Sequence, residues 1–216
     1  RRVMSEVFDH YVKDVRHHEI TILRDDGVYR HVRFGKPGTN NMRIEVITWP
    51  GHLCYAGDMG TYVFTRLEDM FEFFRRSQGY PVGAIDFRYW AEKVDAQDCV
   101  NPVTEFSHEL FREHVMNYIN DGVEYETGWT PEKVNALKDV VESDVFGWLD
   151  DGEHASFCRL RDFEYEGFEF TDIEFNAHKM CFHFEWACYA IQQVIDEYDK
   201  LKDVLTSPVP TNTIHD

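Results

Sequence analysis

No familiar catalytic signature is written in this chain. It contains no GxxxxGK[ST] phosphate loop, no GxGxxG, no GxSxG and no HExxH, and His108-Glu109 with His114 is too widely spaced for two imidazoles on one helix face. The residues two before its eight lysines are Tyr11, Phe34, Ala91, Pro131, Ala136, Ala177, Tyr198 and Lys200. None is acidic, which removes the carboxylate-x-lysine pattern of metal-dependent nucleases. Cysteine is sparse and unpatterned: Cys54, Cys99, Cys158, Cys181 and Cys188 are odd in number and include no CxxC. Free thiols in a reducing compartment are expected, not a disulfide framework. No apolar run reaches 18 residues, and the opening RRVMSEVFDHYVKDVRHHE has no apolar core. Those absences point to a soluble chain without a leader or membrane span, and leave open whether Arg1-Arg2, ahead of Met4, are native.

Positive charge is what the second part lacks most. Through Asp98 there are 14 Lys and Arg against 15 Asp and Glu; from Cys99 onward there are 8 against 25. A one-signed field of that size attracts basic surfaces and repels nucleic acid and membranes. Apolar residues make up 43% of the 216, with 17 Phe, 11 Tyr and 5 Trp. A chain so composed supports an aromatic core and is not disordered.

The patterning changes once. Val3, Val7, Phe8, Tyr11 and Val15 fall at helical spacing and predict an opening helix. Five strands follow: Ile20–Leu23, Val28–Phe34, Arg43–Trp49, His52–Ala56 and Thr61–Thr65. Asp26-Gly27, Pro50-Gly51 and the stretch from Gly57 to Gly60 are the turns, and connections this short require an antiparallel meander. Thr65 and Glu68 read as a capping box for a helix that packs on the sheet through Leu67, Met70, Phe71 and Phe74. Gly79 to Gly83 is a break. Beyond it, Ser107 to Asn120 is helical, Thr130-Pro131 is an N-cap with proline at N1, Glu166-Gly167 turns a small hairpin, and a final helix runs from about Met180 to Leu205 before a frayed tail from Ser207. The fold class expected is α+β. A charge-balanced sheet part spans 1–98 and an acidic, mainly helical part spans 99–216, packed as one compact unit.

Three clusters invite chemistry. His178, Cys181, His183 and Glu185 lie close in sequence, with His178 and Cys181 expected on one helix face, but the Cys pairs of a structural zinc site are missing. No metal and no cofactor are expected. His52, Cys54 and Asp58 lie around one strand and could host a Cys-His nucleophile or a ligand pocket, although Cys54 reads as well as a small core residue. Arg24, Arg30, Arg33, Lys36 and Arg43 could bind an anion on the sheet, yet Glu19, Asp25, Asp26 and Glu45 nearly cancel them, favouring a solvated face. The acidic residues singled out as a partner surface are Glu105, Glu109 and Glu113, read as one helix stripe at i, i+4 and i+8, then Asp150, Asp151 and Glu153. Like charges at that spacing disfavour a helix, so a second role for them is implied.

The run Ile20-Thr-Ile-Leu-Arg-Asp-Asp-Gly-Val-Tyr-Arg-His-Val-Arg-Phe34, then Ile47-Thr-Trp-Pro-Gly-His-Leu-Cys-Tyr-Ala-Gly-Asp-Met-Gly-Thr-Tyr-Val-Phe64 and Leu67-Glu-Asp-Met-Phe-Glu-Phe-Phe74, resembles uncharacterised accessory proteins carried by bacteriophages and prophages. The resemblance extends through Tyr89-Trp90-Ala-Glu-Lys93, Glu105-Phe-Ser107, Gly167-Phe-Glu-Phe-Thr-Asp172 and the final helix around Trp186 and Tyr189. It transfers no catalytic residue. It implies a phage protein acting in the bacterial host cytoplasm. The expected partner is a host protein complex with a basic surface, a defence system of CRISPR-effector or restriction type, inhibited by nucleic-acid mimicry. Direct nucleic-acid binding by the acidic part is not expected. The alternatives are a binder or hydrolase of a nucleotide-type ligand near His52, Cys54 and Asp58, and a plain structural or oligomerisation module.

Overall fold

The computed structural model describes residues 6–76, 83–124 and 128–206. Arg1-Arg2, most of the expected break (79–82) and the tail from Ser207 lie outside them. Two compact units emerge, one of residues 1–103 and 180–216, the other of 104–179. In chain order the first unit holds α1 (Glu6–Val15), β1 (Glu19–Asp26), β2 (Tyr29–Gly35), β3 (Ile44–Trp49), β4 (His52–Gly57), β5 (Gly60–Thr65), α2 (Met70–Phe74), α3 (Phe87–Ala91) and β6 (Val94–Gln97). The second holds β7 (Thr104–Phe106), α4 (His108–Glu124), α5 (Pro131–Asp144), a 3-10 segment at Phe146–Asp151, α6 (Glu153–Arg161), β8 (Glu164–Tyr165), β9 (Phe168–Glu169) and β10 (His178–Met180), and the chain then returns to the first unit with α7 (Phe182–Thr206).

The first unit is an antiparallel sheet in the order β1-β2-β3-β4-β5-β6, one strand more than the alternation predicted. Alternation decides its faces. Val32, Phe34, Ile44, Val46, Leu53, Tyr55, Tyr62 and Phe64 point into the core, while His31, Arg33, Glu45, Ile47, Cys54 and Val63 form the opposite, half-exposed face. The β1–β2 loop is Gly27-Val28 with Gly27 at φ +59°, a conformation glycine adopts without steric cost. Gly57 is needed for another reason: a Cβ there would sit 2.6 Å from the Arg43 carbonyl oxygen.

Helix α7 carries apolar residues nearly all round in its first half, the mark of a helix buried on several sides. Phe184, Trp186, Ala187, Cys188, Ala190 and Ile191 are all buried, and α7 touches β1, β2, β3 and β5 as well as α1 and α2. Though it belongs to the acidic part by sequence, it is the central helix of the sheet unit. Trp186 packs edge-on against Tyr11 at 5.0 Å and donates its Nε1–H to Asp14 at 3.1 Å, which fastens α1 to α7.

Helix α2 starts later than expected. Thr65 remains in β5, paired with His52, and its N–H bonds the Lys93 carbonyl at 2.9 Å, so it does not cap. Asp69 does, accepting from Phe71 N–H at 2.9 Å. Met70, Phe71 and Phe74 are buried as expected, but Leu67 is 41% exposed.

The second unit has its own core, built from Phe111, Val115, Ile119, Leu137, Val141, Phe146, Leu149, Leu160 and Phe163. Thr130 caps α5 by accepting from Lys133 N–H at 3.4 Å, with Pro131 in the first turn. The β8–β9 hairpin turns through Glu166 (φ +47°) and Gly167 (φ +83°), the residues read as a turn in the sequence. Strand β7 pairs with β10. Cys54, Cys99, Cys158 and Cys188 carry free thiols.

Candidate functional site

The charge of the chain is concentrated on a structural unit more sharply than on a stretch of sequence. Residues 104–179 hold six Lys and Arg against nineteen Asp and Glu, a net of −13, which leaves −5 for the larger unit. The six cations are all engaged within the unit. Arg112 meets Glu142, Lys133 lies 3.5 Å from Glu166, Arg161 bonds Asp162 at 3.0 Å, and Lys179 lies 3.7 Å from Glu105 and 3.8 Å from Glu109. Lys138 donates to Asn120 at 2.7 Å, and the Arg159 guanidinium sits 3.8 Å from the centre of the Trp148 ring. Four of the six therefore sit beside carboxylates, and six cations in all cannot offset nineteen acids.

The acids expected at the site gather around the β7–β10 ribbon and two helix starts. Glu105 is exposed, but it lies in β7 and not on α4. The single helix stripe therefore reduces to Glu109 and Glu113, because Ser107 ends the strand and starts the helix by accepting from Leu110 N–H at 3.3 Å. Lys179, brought alongside by the ribbon, bridges Glu105 and Glu109 and offsets the repulsion that their spacing suggested. Glu109's own backbone N–H, then the Ser107 hydroxyl (2.9 Å) and Lys179, hold its carboxyl below the usual range. Asp150 is fully exposed with His108 Nδ1 at 3.9 Å, Asp151 is exposed at the end of the 3-10 segment, and Glu153 in the first turn of α6 lies 3.3 Å from His178 Nε2. The Phe106 ring lies 5.5 Å from that of His108 and 6.4 Å from that of His178. Sequence reading missed Lys179, His108, His178 and Phe106 as members of this surface. Apart from Phe106 with His108, each pairing joins residues dozens apart, and no local pattern encodes it.

The other clusters are taken apart by geometry. His178 belongs to a strand and Cys181 precedes α7, so they share no helix face. Cys181 is buried with His183 Nδ1 3.8 Å from its Sγ, and burial holds the Glu185 carboxyl above its usual range. Among the described residues, no three His, Cys, Asp or Glu are grouped to hold a metal ion.

His52 and Asp58 lie six residues apart along an extended segment, about 20 Å at ~3.3 Å per residue, which is too far to act together. His52 stacks on Trp49 at 5.0 Å and its Nδ1 bonds Pro50 O, while Asp58 accepts from Met42 N–H at 2.8 Å. Cys54 lies on the half-exposed face, not in the core; its Sγ donates to Tyr55 O at 3.6 Å and burial pushes its pKa up, away from the thiolate a nucleophile needs.

Four of the five basic residues read as an anion surface, Arg24, Arg30, Arg33 and Arg43, are matched to acids. Arg33 and Arg43 approach Glu45 Oε1 at 2.9 and 3.3 Å with His31 on the other oxygen. Arg24 pairs with Asp26, and Arg30 turns inward to Asp69. Arg30 is thus part of the core and not of a solvated face.

No family model matches the chain, and comparison with curated proteins and with solved structures finds no match. No helix among the described residues is long and apolar enough to cross a membrane.

Proposed function

We propose that this chain is a phage accessory protein that acts in the bacterial host cytoplasm. In this reading the unit formed by residues 104–179 presents its carboxylates to the basic, nucleic-acid-handling channel of a defence complex of CRISPR-effector or restriction type. The observation that carries it is the net of −13 on 76 residues whose own cations are all engaged. Magnitude fits mimicry. A compact unit of that length is roughly 30 Å across, and duplex DNA over the same distance carries about 18 phosphates. The acids nearest the ribbon start helices or sit on a paired strand, so their positions are held by backbone, and steered capture needs a surface of that kind. No reaction follows from this arrangement, and the reading is of a binding protein.

The test is a pull-down of a purified defence complex with Glu105→Lys/Glu109→Lys/Glu113→Lys beside a matched reversal on the first unit. Asp14 is unsuitable for the control because it holds Trp186; Glu6→Lys/Asp9→Lys/Glu72→Lys uses exposed acids only. The acidic-unit triple should weaken binding by on the order of 10- to 100-fold, mostly through slower association. Its stability should change by no more than about 1 kcal/mol, since exposed pairs such as those of Lys179 contribute little. Equal loss from both triples means generic charge, and no loss from either means a solvated face; both outcomes overturn the reading.

A further inference from the structure

The loop between β2 and β3, with the neighbouring ends of β1 and β2, bounds an open recess of about 570 Å³, within the size range of small-molecule sites. No aromatic ring lines it. Its charged walls are Arg33, Lys36 and Arg43 against one carboxylate, Glu19. With Glu45, which the two arginines share, the balance is three cations against two acids, a net of +1 in a chain of −18. Exposed carboxylates more than about 8 Å away are largely screened at physiological salt, so the groups around the recess set its field.

The pairing with Glu45 does not use these cations up. Arg33 donates its Nε–H to Glu45 Oε1 at 2.9 Å, and Arg43 places Nε 3.3 Å from the same oxygen and donates from Nη1 to Asn40 Oδ1 at 3.1 Å. Among the described residues, both terminal nitrogens of Arg33, Nη2 of Arg43 and Nζ of Lys36 make no hydrogen bond. Glu45, its side chain only 13% exposed, thus fixes the two guanidiniums through Nε and leaves their outer N–H groups for a second acceptor. A phosphate group suits them, because it accepts from guanidinium forks and from an ammonium at several oxygens. The rest of the lining is uncharged and polar. Thr39 Oγ1 accepts from Asn41 N–H at 3.1 Å, which leaves its own proton to donate, and the Thr21 hydroxyl and the Asn40 NH2 make no hydrogen bond among the described residues.

We propose that this recess binds a small phosphorylated sugar or polyol, its phosphate held by the terminal nitrogens of Arg33 and Arg43 and by Lys36 Nζ, and its hydroxyls by Thr21, Thr39 and Asn40. The site is independent of the acidic surface of residues 104–179. With no ring to stack on, a nucleobase gains nothing there.

Calorimetric titration of the full chain in phosphate-free buffer at neutral pH tests it, with ribose 5-phosphate, inorganic phosphate and ribose as probes. Ribose 5-phosphate should saturate one site per chain, phosphate should bind at least about tenfold more weakly, and ribose should not bind, since both halves of the ligand are recognised. Lys36→Glu, at an exposed side chain with no partner among the described residues, should weaken ribose 5-phosphate at least about tenfold. Glu19→Gln, which removes the one carboxylate in the lining, should tighten it about two- to fivefold. Circular dichroism checks that both variants keep the fold. No saturation by ribose 5-phosphate, equal affinity for phosphate alone, full binding in Lys36→Glu, or no gain in Glu19→Gln would each overturn the proposal.

Discussion

Asp69→Ser should destabilise the first unit by about 3–5 kcal/mol, the cost of stranding a buried charge by removing its partner. Arg30 is 8% exposed and donates through both terminal nitrogens to Asp69, at 2.8 Å each. Its guanidinium lies 4.5 Å from the Phe71 ring centre and 5.7 Å from that of Tyr198, and the Tyr198 hydroxyl continues to Asp25, which also takes Lys202. One buried cation thus joins β2, the start of α2 and α7. Serine still caps α2, so the loss isolates the ion pair from the cap. In a chain of this length the melting midpoint should fall by roughly 6–20 °C. Arg30→Met added to Asp69→Ser should recover most of the stability, since replacing both members of a buried pair by uncharged groups is often near neutral. A double variant no better than the single would show that the cost comes from lost packing and not from the stranded charge.

The same pair shapes the response to acid. Burial pushes the Asp69 carboxyl up, but hydrogen bonds from Arg30 and the Phe71 N–H outweigh it and hold the pKa below the usual value. Lys202 and then Tyr198 lower Asp25. Glu45 is lowered too, its burial outweighed by Arg33 and His31. Carboxyls depressed in the fold contribute stability that is complete above their unfolded pKa of about 4 and lost as pH falls through the folded values. Urea midpoints should therefore hold steady from neutrality to about pH 4 and decline below it, with a shallower decline in Asp69→Ser.

Phe111→Ala should cost about 3–5 kcal/mol in the second unit, from lost transfer energy and the cavity left behind. Phe111 is fully buried and meets Phe106, Phe146, Phe157 and Phe175 at ring distances of 5.6, 6.2, 5.2 and 5.5 Å. A unit of 76 residues has a total stability of only about 4–11 kcal/mol, so this one truncation removes a large share. Hydrogen exchange and limited proteolysis should accelerate across 104–179 while the amides around Trp186 keep their protection. Uniform acceleration over the whole chain would show that the two units do not unfold separately.

Much of the fold is legible in contiguous residues. The period-two runs from Ile20 to Thr65, the glycines at 27 and 167, and Thr130-Pro131 specify strands, turns and a cap because each depends on the backbone and its immediate neighbours. Strand β6 escaped notice because Val94-Asp-Ala-Gln97 has a single large apolar residue; it is a strand because β5 offers it hydrogen bonds. The candidate site was legible in part: that the acids at 105, 109, 113, 150, 151 and 153 are exposed follows from their type, but that Glu105 sits on a strand beside Lys179 does not.

By itself, then, the sequence determined the α+β class, the meander with its inward and outward faces, the free thiols of Cys54, Cys99, Cys158 and Cys188 and the excess of acid, all properties carried by composition or short-range periodicity. Tertiary structure alone decided that α7 leaves the acidic part to fill the sheet, that Asp69 and not Thr65 caps α2, that His52 and Asp58 stand at opposite ends of a strand, and that Glu105 lies on a strand beside Lys179. The reason is common to all four. Which face is covered, and which polar group finds a partner, depends on contacts between residues far apart in the chain, such as Arg30 with Asp69 or Tyr11 with Trp186, and those contacts exist only once the local elements have packed.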